Sequence, residues 1–438
     1  MEILPLIFFL IVLIFLLMGF PVAFTLGGIS VIFGLIIFGF SYFYLLPLRI
    51  WGIMSNYVLL AVPLFIFMGV MLERSGIAEE LLETMALLFG KLRGGLAISV
   101  LIVGTLLGAS TGIVGATVVT MGVFALPVML KRGYSPESST GIIMASGTLG
   151  QIIPPSIVLV LLGSVLNVPV GNLFIAAVIP GLILVLLFFL WIVFLAIFKP
   201  KTVPAMPKKQ LEEFRSNKKF KIILSAFLLP FILIVAVLGS IFAGIASPTE
   251  AAAVGGFGAT LLTIFRRRFT IKILKEVMLK TTSLTSMVFM ILVGAAAFGL
   301  VFRGLHGDTY LTNLIISSNL EPNHFIAIMM VVIFISGFFI DFIEITFIIV
   351  PVVAPLLISM HIDLLWIGIL IAMNLQTSFL TPPFGFTIFY LKGVAPDNIK
   401  TSQLYRGAIP YVTLQLIALL IVIFYPQLAL WLPTVIGK

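Results

Sequence analysis

The stretch SGTLGQIIPPS, Ser146 to Ser156, places two consecutive prolines inside an apolar run, and NLQTSFLTPPFG, Asn374 to Gly385, does the same 228 residues later. Proline has no backbone N–H and its ring collides with the carbonyl one turn back, so a helix must break at each doublet. Gly, Ser, Thr, Gln and Asn surround both doublets. Inside a bilayer, broken backbone is tolerated where it lines a cavity or binds an ion; a kink without a ligand is the alternative reading. Working outward, Pro127 pairs with Pro355 at the same spacing of 228, Pro21 and Gly28 pair with Pro248 and Gly255 at 227, and Pro180 pairs with Pro410 at 230. So small a drift over so many pairings marks an internal repeat.

Composition assigns the solvent. Hydrophobic residues make up 61% of the 438 positions and charged residues 9%, against roughly one quarter charged in soluble domains. Apolar stretches of about 17 to 25 residues, enough to cross a core of roughly 30 Å, recur from Ile3 to Pro433. The net charge of +9 sits in a few loops beside these stretches, which is a topology signal rather than a nucleic-acid surface. The absence of cysteine excludes disulfides, thiolate catalysis and cysteine metal sites. His306, His324 and His361 have no metal-ligand spacing. MEILPLIFFL at the N-terminus lacks the basic region and small-residue cleavage site of a secretory signal and reads as the first span.

Residues 1–198 form the first repeat, 199–221 a basic cytoplasmic linker and 222–438 the second repeat. The first repeat shows spans near 3–19, 22–40 and 56–72, then a charged amphipathic piece from Ile77 to Gly95 suited to the membrane surface. A long apolar stretch from Gly95 to Leu130 follows, then spans near 139–165 and 172–198. The second repeat gives spans near 222–242, 248–265 and 282–302, a polar stretch to Asn323, an apolar stretch to Met360, and spans near 364–391 and 407–432. If each long apolar stretch is a hairpin that enters and leaves on one side, each half crosses an odd number of times and the second half is inverted. With the linker in the cytoplasm, all of the 25 Lys and Arg except Arg49, Arg303 and Lys438 lie inside. That bias places both termini on the periplasmic face. Two complete crossings in place of each hairpin leave the same parity, so charge does not separate the two.

The first hairpin centre reads GASTG, Gly108 to Gly112. Its small residues allow close backbone approach, and Ser110 and Thr111 offer hydroxyls to a cation; a packed turn with small-residue helix contacts fits equally. The second centre, ISGFFIDFIEIT, holds Ser336, Gly337, Asp341 and Glu344. Carboxylates at membrane depth face a partner or an aqueous cavity, whereas in an exposed loop at the far surface they need neither. Two breaks at equivalent positions point to a midplane site between the halves, where half-helix ends offer carbonyls to cations and N–H groups to anions. Arg303, at the outer end of a span, is suited either to bidentate pairing with a carboxylate or to an interfacial position. Glu250, in SPTEAAAVGG, is placed to complement a helix N-terminus. An intramembrane enzyme needs a nucleophile with a base or a metal cluster, which these spans do not hold. A passive channel favours ring-forming polar stripes over paired breaks.

FPVAFTLGG at Phe20 to Gly28, LLAVPLFIFMG at Leu59 to Gly69, ASPTEAAAVGG at Ala246 to Gly256, and the IIPPS and LTPPFGF breaks together resemble the large membrane subunit of tripartite ATP-independent periplasmic (TRAP) transporters. The resemblance covers essentially the whole chain. It implies an all-α polytopic membrane protein of the bacterial inner membrane, an inverted-repeat elevator-type transporter with two re-entrant hairpins and two broken helices. It further implies sodium-coupled import of organic anions such as four-carbon dicarboxylates or sialic acid. The implied partners are a soluble periplasmic substrate-binding protein and a small four-span membrane subunit, expected as a separate chain. Carried over, one sodium ion falls at Ser110, Thr111 and Gly112 with Gly150 and Pro154, and a second at Ser336 and Gly337 with Thr377, Thr381 and Pro382. Substrate falls between the hairpin tips, with Arg303, Asp341, Gln151, Gln376 and Ser378 as polar candidates. Sodium is the coupling ion, and no organic cofactor is implied.

Overall fold

The computed structural model describes residues 3–206, 220–317, 320–382 and 385–436, and within these it is helical throughout, with no strand. The first half contains α1 (Leu4–Leu17), α2 (Val22–Phe38), α3 (Leu45–Met54), α4 (Ala61–Arg74), α5 (Ile77–Leu88), α6 (Gly95–Thr111), α7 (Val114–Lys131), α8 (Pro136–Thr148), α9 (Ile157–Leu166) and α10 (Val170–Phe198). The second contains α11 (Phe220–Phe242), α12 (Pro248–Phe265), α13 (Ile271–Gly304), α14 (Gly307–Ser317), α15 (Pro322–Ser336), α16 (Phe342–Ser359), α17 (Leu364–Leu380), α18 (Phe386–Val394), α19 (Thr401–Phe424) and α20 (Gln427–Ile436).

Packing is reciprocal between the halves. Helix α2 lies on α13 while its counterpart α12 lies on α4, the counterpart of α13; likewise α18 lies on α7 and α9 on α16. Glycines allow the first two pairs to close. A Cβ on Gly294 would stand 2.6 Å from the Ala23 carbonyl oxygen, and one on Gly255 would stand 2.5 Å from the Met68 sulfur. Such close backbone approach is the usual basis of helix association in lipid. Helices α1, α2, α4, α12 and α13 pack on one another and are called here the frame; the hairpins α6–α7 and α15–α16 pack on the broken helices and with them are called the central body, and α4 of the frame also lies along α6.

The depth of the hairpin tips follows from the glycines. Hairpin α6–α7 ends at Lys131 on the face where α8 begins at Pro136, and α8 rises 13 residues to the first break, or about 20 Å. A Cβ on Gly108 would lie 2.9 Å from the Gly150 backbone nitrogen, and one on Gly112 would lie 2.9 Å from the Ile157 side chain. The tip therefore stops at the level of the break, partway along the hairpin's neighbours. In the second half a Cβ on Gly337 would lie 2.6 Å from the Ser378 Cβ, which brings that tip to the end of α17.

Several element boundaries differ from the sequence reading. Helix α3 was not expected; it carries Arg49 and exposed Leu48 and Trp51, an interfacial mixture too short to register as a span. Helix α13 begins at Ile271, eleven residues before the expected span at 282, because its first turns carry lysines and threonines beyond the apolar core. The expected polar stretch before Asn323 contains α14, and the last span is two helices, α19 and α20, interrupted at Tyr425.

Of the linker, residues 207–219 lie outside the described set, and Phe220 already opens α11. The described start, Lys199 to Met206, is a strap. The Met206 N–H donates to the Gly90 carbonyl at 2.8 Å, Gly94 N–H to Val203 at 2.9 Å and Ser135 N–H to Thr202 at 3.0 Å. These bonds hold the strap against the turn after α5 and the turn between α7 and α8. Tyr134 is buried beneath it, accepts a hydrogen bond from Leu96 N–H at 3.2 Å, and has its phenol pushed up to about 12 by that burial. The amphipathic piece, α5, is tied to the end of α12 by Glu80, which pairs with Arg266 and with Arg268.

Candidate functional site

The first tip is fully buried. Gly112 takes a left-handed conformation, φ +61°, and its N–H closes on the Gly108 carbonyl at 2.8 Å, a conformation glycine adopts without penalty. Ser110 Oγ donates to the Leu107 carbonyl at 2.9 Å, and Thr111 Oγ1 lies 3.0 Å from Thr117 Oγ1. A hydroxyl whose proton is given to a carbonyl keeps its lone pairs, which is the form a hard cation coordinates. Gly150 lies against Gly108 so closely that a Cβ would fall on the Gly108 carbonyl oxygen. Pro154 is buried, and the chain restarts at α9 with Ser156 capping Leu159 N–H.

The second tip is half-buried and acidic. Asp341 caps α16, accepting from Phe342 N–H at 2.7 Å, while Glu344 accepts from Asp341 N–H at 3.1 Å. This reciprocal arrangement is a capping box. No ion pair to either carboxylate occurs among the described residues. Thr377 Oγ1 donates to Met373, Ser378 Oγ to Leu375 and Thr381 Oγ1 to Thr377, all within 2.9 Å, so these oxygens too keep their lone pairs. Thr381 and Pro382 are half-buried; Pro383, the other half of the doublet, lies outside the described residues. Ser336 lines a narrow apolar groove under α1, while Gly337 is the residue that touches α17.

The other candidates lie elsewhere. Gln151 and Gln376 have no exposed surface; Gln376 Nε2 donates to Thr148 Oγ1 at 3.3 Å, and Gln415 Nε2 donates to the same hydroxyl at 3.2 Å. Arg303 ends α13 on the frame, its Nε donating to Gly299 at 3.2 Å; burial, and after it the charge of Arg303, holds Arg49 below the usual arginine range. None of the described contacts of Arg303 is a tip residue. Glu250 forms a capping box with Ser247 at 2.8 Å and is a structural group.

Sequence reasoning missed three residues. Tyr390 on α18 stands between the tips: a Cβ on Gly115 would lie 3.0 Å from its ring, and it is within electrostatic reach of Asp341 and Glu344. Gln415 was legible only as one amide in an apolar span. Gly69 on α4 is the frame's contact with the first tip, since a side chain there would strike the backbone of Ser110 and Thr111.

Two hairpins meeting two broken helices inside a polytopic bundle define a membrane transporter of the inverted-repeat class. Residues 9–428 match the family described as "Tripartite ATP-independent periplasmic transporter, DctM component", and the chain belongs to that family. It is the large permease of a secondary transporter and a multi-pass inner-membrane protein, not an enzyme. The C4-dicarboxylate TRAP transporter large permease protein DctM of Pseudomonas aeruginosa is 32% identical over 393 residues, 90% of each chain. The ectoine TRAP transporter large permease protein TeaC of Halomonas elongata is 30% identical, over 95% of this chain and 96% of its own. The crystal structure of the YdaH transporter of Alcanivorax borkumensis has a similar fold, with TM-score 0.63, 14% identity, and coverage of 90% of this chain and 88% of that one.

Proposed function

We propose that this permease imports a carboxylate-bearing organic solute, coupled to sodium, by an elevator movement of the central body against the frame. The observation that carries the reading is the paired contact of Gly108 with Gly150 and of Gly337 with Ser378. It brings each hairpin tip against a helix break, where hydroxyl and freed carbonyl oxygens are available to a cation. One sodium ion sits at Ser110, Thr111 and Gly112 beside Gly150 and Pro154; the other sits at Gly337 with Ser336, beside Thr377, Thr381 and Pro382. Substrate lies between the tips, bounded by Asp341 and Tyr390. An anionic solute beside Asp341 and Glu344 is repelled until a cation neutralises them, so sodium binds first. Arg303 stands outside this site.

The solutes named for the relatives, a C4-dicarboxylate and ectoine, share a carboxylate group, which supports the substrate class. A soluble periplasmic binding protein delivers the solute, a small membrane subunit braces the frame, and both termini face the periplasm. The test is uptake into proteoliposomes containing the permease, its small subunit and the binding protein, with and without an inward sodium gradient. Accumulation is expected only with the gradient; equal uptake without it overturns the coupling.

A further inference from the structure

Thr148 and Gln376 occupy equivalent places in their halves, 228 residues apart, and hydrogen-bond to each other. A residue reaches its own counterpart only where the pseudo-twofold axis passes, so this bond marks the axis through the central body. Around it lies a set of buried polar atoms that the transport reading does not use. Thr148 Oγ1 donates to the Ala145 carbonyl at 2.8 Å, so its two lone pairs are what the amide nitrogens of Gln376 and Gln415 meet. That geometry fixes both amides and leaves Gln376 Oε1 and Gln415 Oε1 without a partner. Gln151, one helical turn beyond Thr148, has neither its amide oxygen nor its amide nitrogen bonded. All three glutamines are at most 1% exposed.

Buried amide groups are almost always hydrogen-bonded, and orphans of this kind are the usual partners of internal water, which makes about three bonds. We propose that a water molecule is enclosed on the axis, donating to Gln376 Oε1 and Gln415 Oε1 and accepting from Gln151 Nε2. One water then satisfies three of the four orphan atoms and joins the two broken helices to α19. A cation fits less well: the cluster has no carboxylate, and Gln151 brings an unbonded amide nitrogen as well as an oxygen. Gln151 adjoins Gly150 and Gln376 adjoins Thr377, so the water ties the two sodium junctions together.

Two measurements test the water. In a high-resolution map of the complete complex, a peak is expected within hydrogen-bond distance of all three glutamines, and it remains when sodium is replaced by choline. An empty site, or a peak that disappears without sodium, overturns the proposal. Independently, Gln151→Met, Gln415→Met and the double variant are compared by thermal unfolding. Gln151 and Gln415 share no direct bond, so coupling between them requires the bridge: once the first substitution has displaced the water, the second lowers Tm by clearly less than it does alone. Strictly additive shifts overturn it.

Discussion

The first hairpin tip is buried and uncharged, whereas the second is half-exposed and holds two carboxylates. Both reach a helix break through a small residue, but the first contact is backbone on backbone, Gly108 against Gly150, and the second is a glycine against a serine side chain. Topology is thus shared between the halves while chemistry is not. The first junction can offer a cation only neutral oxygens, and the second can add formal negative charge. A side chain at Gly150 would meet only fixed backbone atoms, and one at Gly337 would meet the Cβ and the mobile Oγ of a serine.

The largest effect should expose that last difference. Gly150→Val places its branched side chain on the Gly108 carbonyl, and uptake is expected to vanish with a stability loss of about 1–3 kcal/mol or more. Gly337→Ala should cost less, because it sets one methyl, and not a branched side chain, against its neighbour, although the Ser378 Cβ 2.6 Å away moves only with α17 itself. Equal losses in uptake and Tm at both positions would break the asymmetry. Next in size, Asp341→Asn keeps the helix cap, since Asn caps as well as Asp, but removes a charge. The sodium concentration for half-maximal uptake should rise roughly tenfold, or ~1.4 kcal/mol, with Tm unchanged; Ser110→Ala, which removes one neutral oxygen, should shift it less. A larger shift at Ser110 would reverse the roles assigned to the two tips.

The frame's hold on the first tip gives a third measurement. Thr120 Oγ1 on α7 lies 3.4 Å from Glu73 Oε1 on α4, and the chain has no cysteine of its own. Glu73→Cys with Thr120→Cys, bridged by a short bis-thiol reagent, should stop uptake while leaving sodium binding intact. Uptake that survives bridging would mean that the central body does not move against α4. The smallest effect is expected farthest from both tips: Ser247→Ala removes one helix cap, about 1 kcal/mol of stability, and should leave uptake within about twofold.

What could be read from the sequence was whatever punctuates the chain. The proline doublets, the glycines at GASTG and the Ser247 to Glu250 spacing each have a local physical meaning that needs no partner. Tip depth had none, because it rests on Gly108 meeting Gly150 across 42 positions. Gln151 and Gln376 drew attention as polar residues beside the breaks, but whether such a group faces a cavity or the interior depends on neighbours such as Gln415, which a linear reading does not supply. Helix α3 was hidden because its ten residues, LLPLRIWGIM, are too few to register as a span and are interrupted by a proline and an arginine.

The bond between Thr148 and Gln376 has one more consequence. Two identical subunits related by the same axis would set threonine against threonine there, or glutamine against glutamine. A hydroxyl meeting an amide at that point requires two halves that have been free to diverge from each other, as they are within a single chain. The pair records, in one hydrogen bond, that the symmetry of this fold is an inheritance of shape and no longer of residues.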